Sequence, residues 1–322
     1  MMMRALVYDR YGPPETLRLE QLPRPQPGPG EVLVRVQATS LNSWDWDLIV
    51  GTSMGRVNGP FGPPRRILGA DIAGTIETVG PGVTGFAPGE RVFGDLSSGS
   101  WGGLAEFVVA KASVLARIPD GLTFVDAASL PQAGSLALQA LRRRPQLGQG
   151  DRVLVNGAGG GVGTFAVQMA RSAGAHVTAV DRAEKRDALL ALGAHSFIDY
   201  RQADYTAGTD KYDLVIDVVA SRPIGHYARI LADGGTFVAI GGTFGTLISA
   251  ALFGRVFGRQ RRLEVLVYRV TADDCVELAR RSLSGSITPV IDGVYPLARG
   301  AAALRRLGDG LAIGKVMITP AA

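Results

Sequence analysis

The sequence predicts an α/β protein in two parts: a β-rich domain, and a doubly wound parallel sheet that carries a glycine loop. Three observations predict it. Up to about residue 124, Gly and Pro (PRPQPGPGE, GPFGPP, GPGVTGFAPGE) break the chain into short alternating segments such as Val32-Leu33-Val34-Arg35-Val36 and Ile72-Ala73-Gly74-Thr75-Ile76, the texture of strands joined by turns. Beyond it, short β-branched runs at 153–155, 176–180, 196–199, 214–219, 236–240 and 263–267 alternate with helical stretches, as βαβ units do on a sheet buried on both faces. Finally, "VNGAGGGVG" (155–163) packs five glycines between one such run and a helical pattern.

Bulk properties bound the function. A chain of 322 residues, 46% hydrophobic, is long enough for two buried cores. Lys and Arg outnumber Asp and Glu by 34 to 29, but the excess lies in scattered groups (Arg142-Arg143-Arg144, Arg261-Arg262, Arg280-Arg281, Arg305-Arg306). No stripe or reading motif of a nucleic-acid binder is formed, so no nucleic-acid partner is expected. The start, MMMRALVYDRYG, lacks the apolar stretch of a secretory signal, and no apolar run is long enough to insert stably in a membrane. A cytoplasmic protein is expected. Cys275 is the one cysteine, so it has no partner for an internal disulfide and no thiol neighbour for a metal site.

In the segment after the loop, Val162, Phe165, Ala166, Met169, Ala170 and Ala173 fall on one helical face, which puts the helix N-terminus at the glycines. Its free N–H groups and positive dipole end suit a pyrophosphate. Gly160 lets backbone approach such a ligand, and Gly163 lets the helix sit close on the strand. The loop departs from G-x-G-x-x-G, reading Ala158-x-Gly160-x-x-Gly163 or Gly157-x-x-Gly160-x-x-Gly163; Gly161 and Val162 complete it. Its context supports a dinucleotide over an empty tight turn: it follows a strand and opens a helix, and Asp181 ends the second strand, where a ribose is held.

Over essentially its whole length the chain resembles the zinc-less quinone oxidoreductase-like branch of the medium-chain dehydrogenase/reductase superfamily. The resemblance is carried by YGPPETLRLEQLPRPQPGPGEVLVRV, ATSLNSWDWDL, ILGADIAGTIETVG, the glycine loop, KYDLVIDVV and GKVMITP. It implies a GroES-like domain from residues 1–124 and 268–322, a Rossmann domain over 125–267, an active site in the cleft between them and, by family habit, a homodimer. Metal-dependent relatives hold a catalytic zinc with a cysteine just after the strand equivalent to Val32 to Ala38 and a histidine in a Gly-His-Glu triplet. This chain has Asn42 at the first place and reads Gly69-Ala70-Asp71 at the second. Two of the three ligands that zinc needs become an amide and a methyl group, so no zinc is expected and hydrogen bonds must polarise the substrate.

Hydride from a reduced nicotinamide needs an electron-poor carbon, such as the β carbon of an enone or a quinone ring position, and donors aimed at the conjugated oxygen lower the barrier. Water can supply the proton. By resemblance Asn42 and Asp45 orient the nicotinamide ribose and the acceptor; the other reading is an Asx-type turn. Trp44 and Trp46 offer flat walls to a planar substrate or are plain packing. Ala133 and Gly134, with Ile240-Gly241-Gly242, are placed beside the nicotinamide, and Lys315 either reaches the cofactor or is solvated. Asp181 favours NADH, whereas Arg182 is adjacent to it and Lys185 and Tyr200 match positions that grip the extra phosphate of NADPH, the other readings being a surface lysine and a buried strand-end tyrosine, so both cofactors stay open. The stretch 243–262, apolar and interrupted by Gly254, Arg255 and Gly258, is open to three uses: roofing the cleft, packing on a second subunit or touching a membrane. The activity expected is a metal-free, NAD(P)H-dependent reductase of quinones or α,β-unsaturated carbonyls. The competing readings are a cofactor-binding redox sensor or structural protein, and an enoyl-thioester reductase.

Overall fold

The computed structural model describes residues 1–57, 59–254 and 261–320. In chain order the first elements are β1 (Met2–Val7), β2 (Arg18–Pro23), β3 (Glu31–Leu41), α1 (Ser43–Val50), β4 (Asp71–Val79), β5 (Arg91–Asp95), β6 (Phe107–Lys111), β7 (Leu115–Arg117), α2 (Phe124–Ser129) and α3 (Pro131–Leu141). There follow β8 (Arg152–Asn156), α4 (Gly161–Ser172), β9 (His176–Asp181), α5 (Arg186–Ala191), β10 (Ser196–Asp199), β11 (Tyr212–Asp217), α6 (Ile224–Ile230), β12 (Leu231–Ala239), α7 (Phe244–Phe253) and β13 (Arg262–Val265). The last are α8 (Ala272–Leu283), β14 (Ile291–Pro296), α9 (Gly300–Gly308) and β15 (Lys315–Thr319). The chain forms two compact units. The first takes Met1–Ser135, Arg269–Gly285 and the stretch from Pro289 on; the second takes Leu136–Tyr268 and Ser286–Thr288.

The first unit is built on a sheet in the order β14-β15-β3-β4-β5-β7, with β6 also paired to β3. Its centre is β3, whose period-2 alternation serves two cores at once. Val32, Val34 and Val36 join Ile72, Ile76, Val92 and Val108, while Leu33 points the other way to Met3, Ala5, Val7 and Phe107. Each such side chain, wholly removed from water, contributes about 1.5–3 kcal/mol. Register then decides what meets at the end of β3: Ser40 pairs with Asp71 of β4, Leu41 with Val316 of β15, and Asp71 with Asp95 of β5. Polar residues from distant parts of the chain are thereby collected at one point of a largely apolar sheet.

The second unit is the Rossmann domain: a parallel sheet in the order β10-β9-β8-β11-β12-β13. Val153, Leu154, Val155, Val215, Ile216, Phe237 and Val238 are all 0% exposed, because helices cover both faces. The strand predicted to run to residue 219 stops at Asp217, whose carboxylate accepts the Val219 N–H at 3.0 Å and so turns the chain. Helix α4 ends at Ser172, leaving Ala173 exposed rather than on the apolar face. The strand order reverses between β8 and β11, and ligands of such sheets collect beyond the carboxyl ends of the strands at that switch. Among the described residues no helix is long and apolar enough to cross a membrane.

Candidate active site

The glycine loop leaves the end of β8 in the Rossmann unit. Gly157 turns the chain at φ +76, and its N–H and that of Ala158 donate to Val180 O, at 3.0 and 3.1 Å. A Cβ on Gly163 would lie 2.2 Å from Gly157 O and 2.5 Å from Ala158 C, so only glycine lets α4 approach the strand this closely. Gly160 differs: a Cβ there would meet only Gly157 O, at 3.4 Å, and would project into space that the chain leaves open. Intrahelical bonding begins with Thr164 N–H to Gly160 O at 3.0 Å, which leaves the N–H groups of Gly161, Val162 and Gly163 ahead of the first helical acceptor. The loop therefore fits an anionic diphosphate.

Asp181, at the end of β9, is spent inside the protein. One oxygen accepts the Gly159 N–H at 2.7 Å, the other the Arg182 N–H at 2.8 Å, and the Lys185 ammonium lies 3.7 Å away with both side chains buried. The Lys185 stem lies across Gly159, where a Cβ would come within 2.4 Å of Cδ. Beside them Arg182 Nε donates to the Tyr200 hydroxyl at 3.2 Å; this contact, first among the causes, raises the arginine pKa. The structure thus brings Asp181, Arg182, Lys185 and Tyr200 together. Farther along the same strand ends, Asn156 Nδ2 and the Tyr205 hydroxyl donate to Asp217 at 2.7 and 2.8 Å, and burial raises the Asp217 pKa. Sequence reasoning missed this network; an aspartate closing the apolar run of β11 was its one signal. Gly241 and Gly242 allow the chain after β12 to pass the chain after β11, since a Cβ on Gly242 would lie 2.1 Å from Ala220 O. Ile240 N–H donates to Asp217 O at 2.8 Å.

The first unit holds the second group. Asn42, between β3 and α1, donates its N–H to Asp45 at 2.8 Å, and its backbone carbonyl accepts the Asp45 N–H at 3.0 Å. The other Asp45 oxygen accepts the Gly69 N–H at 2.8 Å. With no exposed surface, the Asp45 carboxyl is raised to about 7, chiefly by burial; the two backbone donors and Lys315 oppose the rise, and Asp71 adds to it. The Asn42 amide is held at both ends, Oδ1 accepting from Lys315 Nζ at 2.5 Å and Nδ2 donating to Asp71 at 2.9 Å. Ser40 Oγ and the Gln132 N–H also donate to Asp71, at 2.7 and 2.9 Å. Lys315 is 1% exposed and faces this cluster rather than solvent. Asp71, seen in the sequence only as the last residue of Gly69-Ala70-Asp71, is thus a functional candidate that sequence reasoning missed; a carboxylate inside the apolar stretch LGADIAG was the available signal.

Trp44 is 48% exposed and stacks on buried Trp101 at 6.3 Å, whereas Trp46 packs on Gly308, where a Cβ would lie 2.0 Å from its ring. Ala133 is buried and belongs to the first unit, as does Gly134, whose missing Cβ makes room for Leu278. On α7, Phe244, Ile248 and Leu252 are exposed at helical spacing; Arg255 and Gly258 lie outside the described residues. Positions 42 and 70 offer an amide and a methyl group, an ammonium lies against Asn42, and no group of three or more His, Cys, Asp or Glu among the described residues is placed to hold a metal.

Residues 28–120 match the family model described as alcohol dehydrogenase GroES-like domain, and 192–318 that described as zinc-binding dehydrogenase. A chloroplast envelope quinone oxidoreductase homolog of Arabidopsis thaliana is 33% identical over 99% of both chains. The quinone oxidoreductase of Coxiella burnetii superposes with a TM-score of 0.89 at 27% identity, covering 99% of each chain. A mycobacterial protein solved in complex with NADPH does so at 0.82 and 28%, covering 99% of this chain and all of its own. With a glycine loop on a parallel sheet, a GroES-like unit and relatives matched from end to end, the chain belongs to the medium-chain dehydrogenase/reductase superfamily, in its quinone oxidoreductase branch.

Proposed function

We propose that this oxidoreductase uses NADPH, without a metal, to reduce quinones and α,β-unsaturated carbonyls. The observation that carries the cofactor choice is Asp181. Its two oxygens are engaged by Gly159 and Arg182 N–H groups and its charge is met by Lys185, so it is not the open ribose acceptor that favours NADH. Arg182, Lys185 and Tyr200 around it supply the positive and polar groups that a 2′-phosphate needs. When bound, the nicotinamide supplies the hydride. The chain's own residues do the rest: the N–H groups of Gly161, Val162 and Gly163 hold the diphosphate, and Gly160 keeps the approach open. Asn42, fixed through both ends of its amide, turns its second Nδ2 N–H to the acceptor oxygen. Trp44 gives a planar acceptor a flat apolar surface. Asp45, buried on backbone donors, holds Asn42 in place, and water protonates the enolate or hydroquinone anion.

The test is oxidation of NADPH and of NADH with a panel of quinones, enones and enoyl thioesters, before and after exhaustive chelation. Turnover of quinones or enones with NADPH, unchanged by chelation and lowered about 10²-fold or more in Asn42→Ala, is the expected result. Tight NADPH binding with no acceptor would establish a sensor instead. Loss of activity on chelation with recovery on adding zinc would overturn the metal-free reading.

A further inference from the structure

The cluster at the end of β3 contains more than is needed to hold the Asn42 amide for the proposed reaction. Lys315 Nζ is in reach of three oxygens: Asn42 Oδ1 at 2.5 Å, Leu41 O at 3.3 Å and Asp71 Oδ2 at 3.4 Å. Lys315 is 1% exposed and Asp71 0%. Lysine is almost never buried so completely without a specific partner. The strand register makes its position unavoidable, because Val316 sits opposite Leu41 on one side of β3 while Asp71 sits opposite Ser40 on the other. A carboxylate, an amide oxygen and a backbone carbonyl around one point are the donors that a hard divalent cation takes, and here they surround an ammonium. The ammonium joins the end of β3, at Leu41 and Asn42, to the start of β4, at Asp71. A divalent ion beside Nζ would face a like charge a few ångströms away in a space that water does not screen.

We propose that Lys315 is a built-in cation for this position. It neutralises Asp71, fixes the Asn42 amide by its oxygen, and holds the space against divalent ions. It is a positioning residue acting through Asn42, and the inference stands whichever acceptor the enzyme reduces. Its removal leaves Asp71 buried without a counter-charge, the costly half of a broken buried pair, inside an all-oxygen cage. Neutralising Asp71 as well removes both the cost and the cage, since Asn42, freed from the lysine, can turn its amide to accept from an asparagine at position 71.

The experiment compares the full-length protein with Lys315→Met and with Lys315→Met combined with Asp71→Asn. All three are stripped with chelator, and thermal midpoint and bound metal are read with and without Mn²⁺ or Zn²⁺. The unsubstituted protein is expected to bind no metal and to show no shift. Lys315→Met is expected to fall by about 10 °C, to take up an ion and to regain at least half the loss. The double variant is expected to recover the midpoint without metal and to ignore it. Should Lys315→Met not yield soluble protein, refolding with and without Mn²⁺ replaces the midpoint; ion-dependent refolding, with a double variant that folds unaided, is the same positive result. Stoichiometric metal in the unsubstituted protein, a Lys315→Met response to ions no larger than that of the unsubstituted protein, or a double variant no better than the single would each overturn the proposal. None of these readouts depends on turnover, so they stand apart from the assay of the reductase itself.

Discussion

Asp45 has a folded-state pKa raised to about 7, mainly by burial, against about 3.9 in an unfolded chain. Between these values the native protein keeps a proton that the unfolded chain has released. Its contribution to stability is therefore complete below about pH 4 and is lost as pH rises toward 7. Asp45→Asn is expected to remove this downward slope from a plot of unfolding free energy against pH, read by urea titration at several pH values. It also lowers stability by about 1–3 kcal/mol, because one amide hydrogen would point at a backbone N–H. Lys185 gives the second test at this scale. With its ammonium removed in Lys185→Met, the Kd for NADPH, followed by nicotinamide fluorescence, is expected to rise about 10-fold or more while that for NADH changes little. An equal loss for both cofactors would mean that Lys185 only braces the glycine loop through Asp181.

Two junctions between a strand and a helix carry the residues of the proposed site, and they are built differently. In the Rossmann unit the turn from β8 to α4 is set by the absence of side chains. The Cβ of Gly163→Ala would lie 2.2 Å from a backbone oxygen, which cannot move aside as a flexible side chain would. The helix must back away, so the variant is expected to remain folded with a stability loss of about 1–3 kcal/mol and to bind NADPH at least 10-fold more weakly by isothermal titration. In the first unit the turn from β3 to α1 is set by the presence of side chains: Asn42 and Asp45 exchange backbone bonds, and Asp45 ties the helix start to Gly69. One junction leaves N–H groups open for a ligand, and the other satisfies its own.

Across the whole molecule the basic excess is dispersed. Arg280 and Arg281 share Glu277, Arg144 bridges Asp151 and Asp213, Arg305 meets Glu15, and Arg306 meets Asp292. Among the described residues these pairs set carboxylates against arginines from several of the basic groups in the sequence, which opposes the binding of a polyanion there. A labelled DNA duplex is expected to show no change in anisotropy with micromolar protein at about 0.15 M salt, where phosphate-driven binding is already weakened; saturable binding would expose a surface that the pairing conceals.

What the sequence determined by itself was local. The β-branched runs became the strands of the parallel sheet, and the run 196–199 matches β10 at both ends. Five glycines in nine positions became the loop at the head of α4, because period, branching and the lack of a Cβ act within a few residues of where they are written. Two matters were decided only by the tertiary structure. Asp181 and Lys185 were legible as a conflict between two cofactors, and only their burial, with the Gly159 N–H between them, showed the carboxylate to be already engaged. Lys315 was legible as a lysine in a terminal strand that either reaches the cofactor or is solvated, with nothing to join it to Asn42 and Asp71. It meets Asn42 across 273 residues of chain and Asp71 across 244, a meeting set by how β15, β3 and β4 pair, and strand register over such separations depends on the packing of the entire sheet rather than on any pattern near the residues themselves.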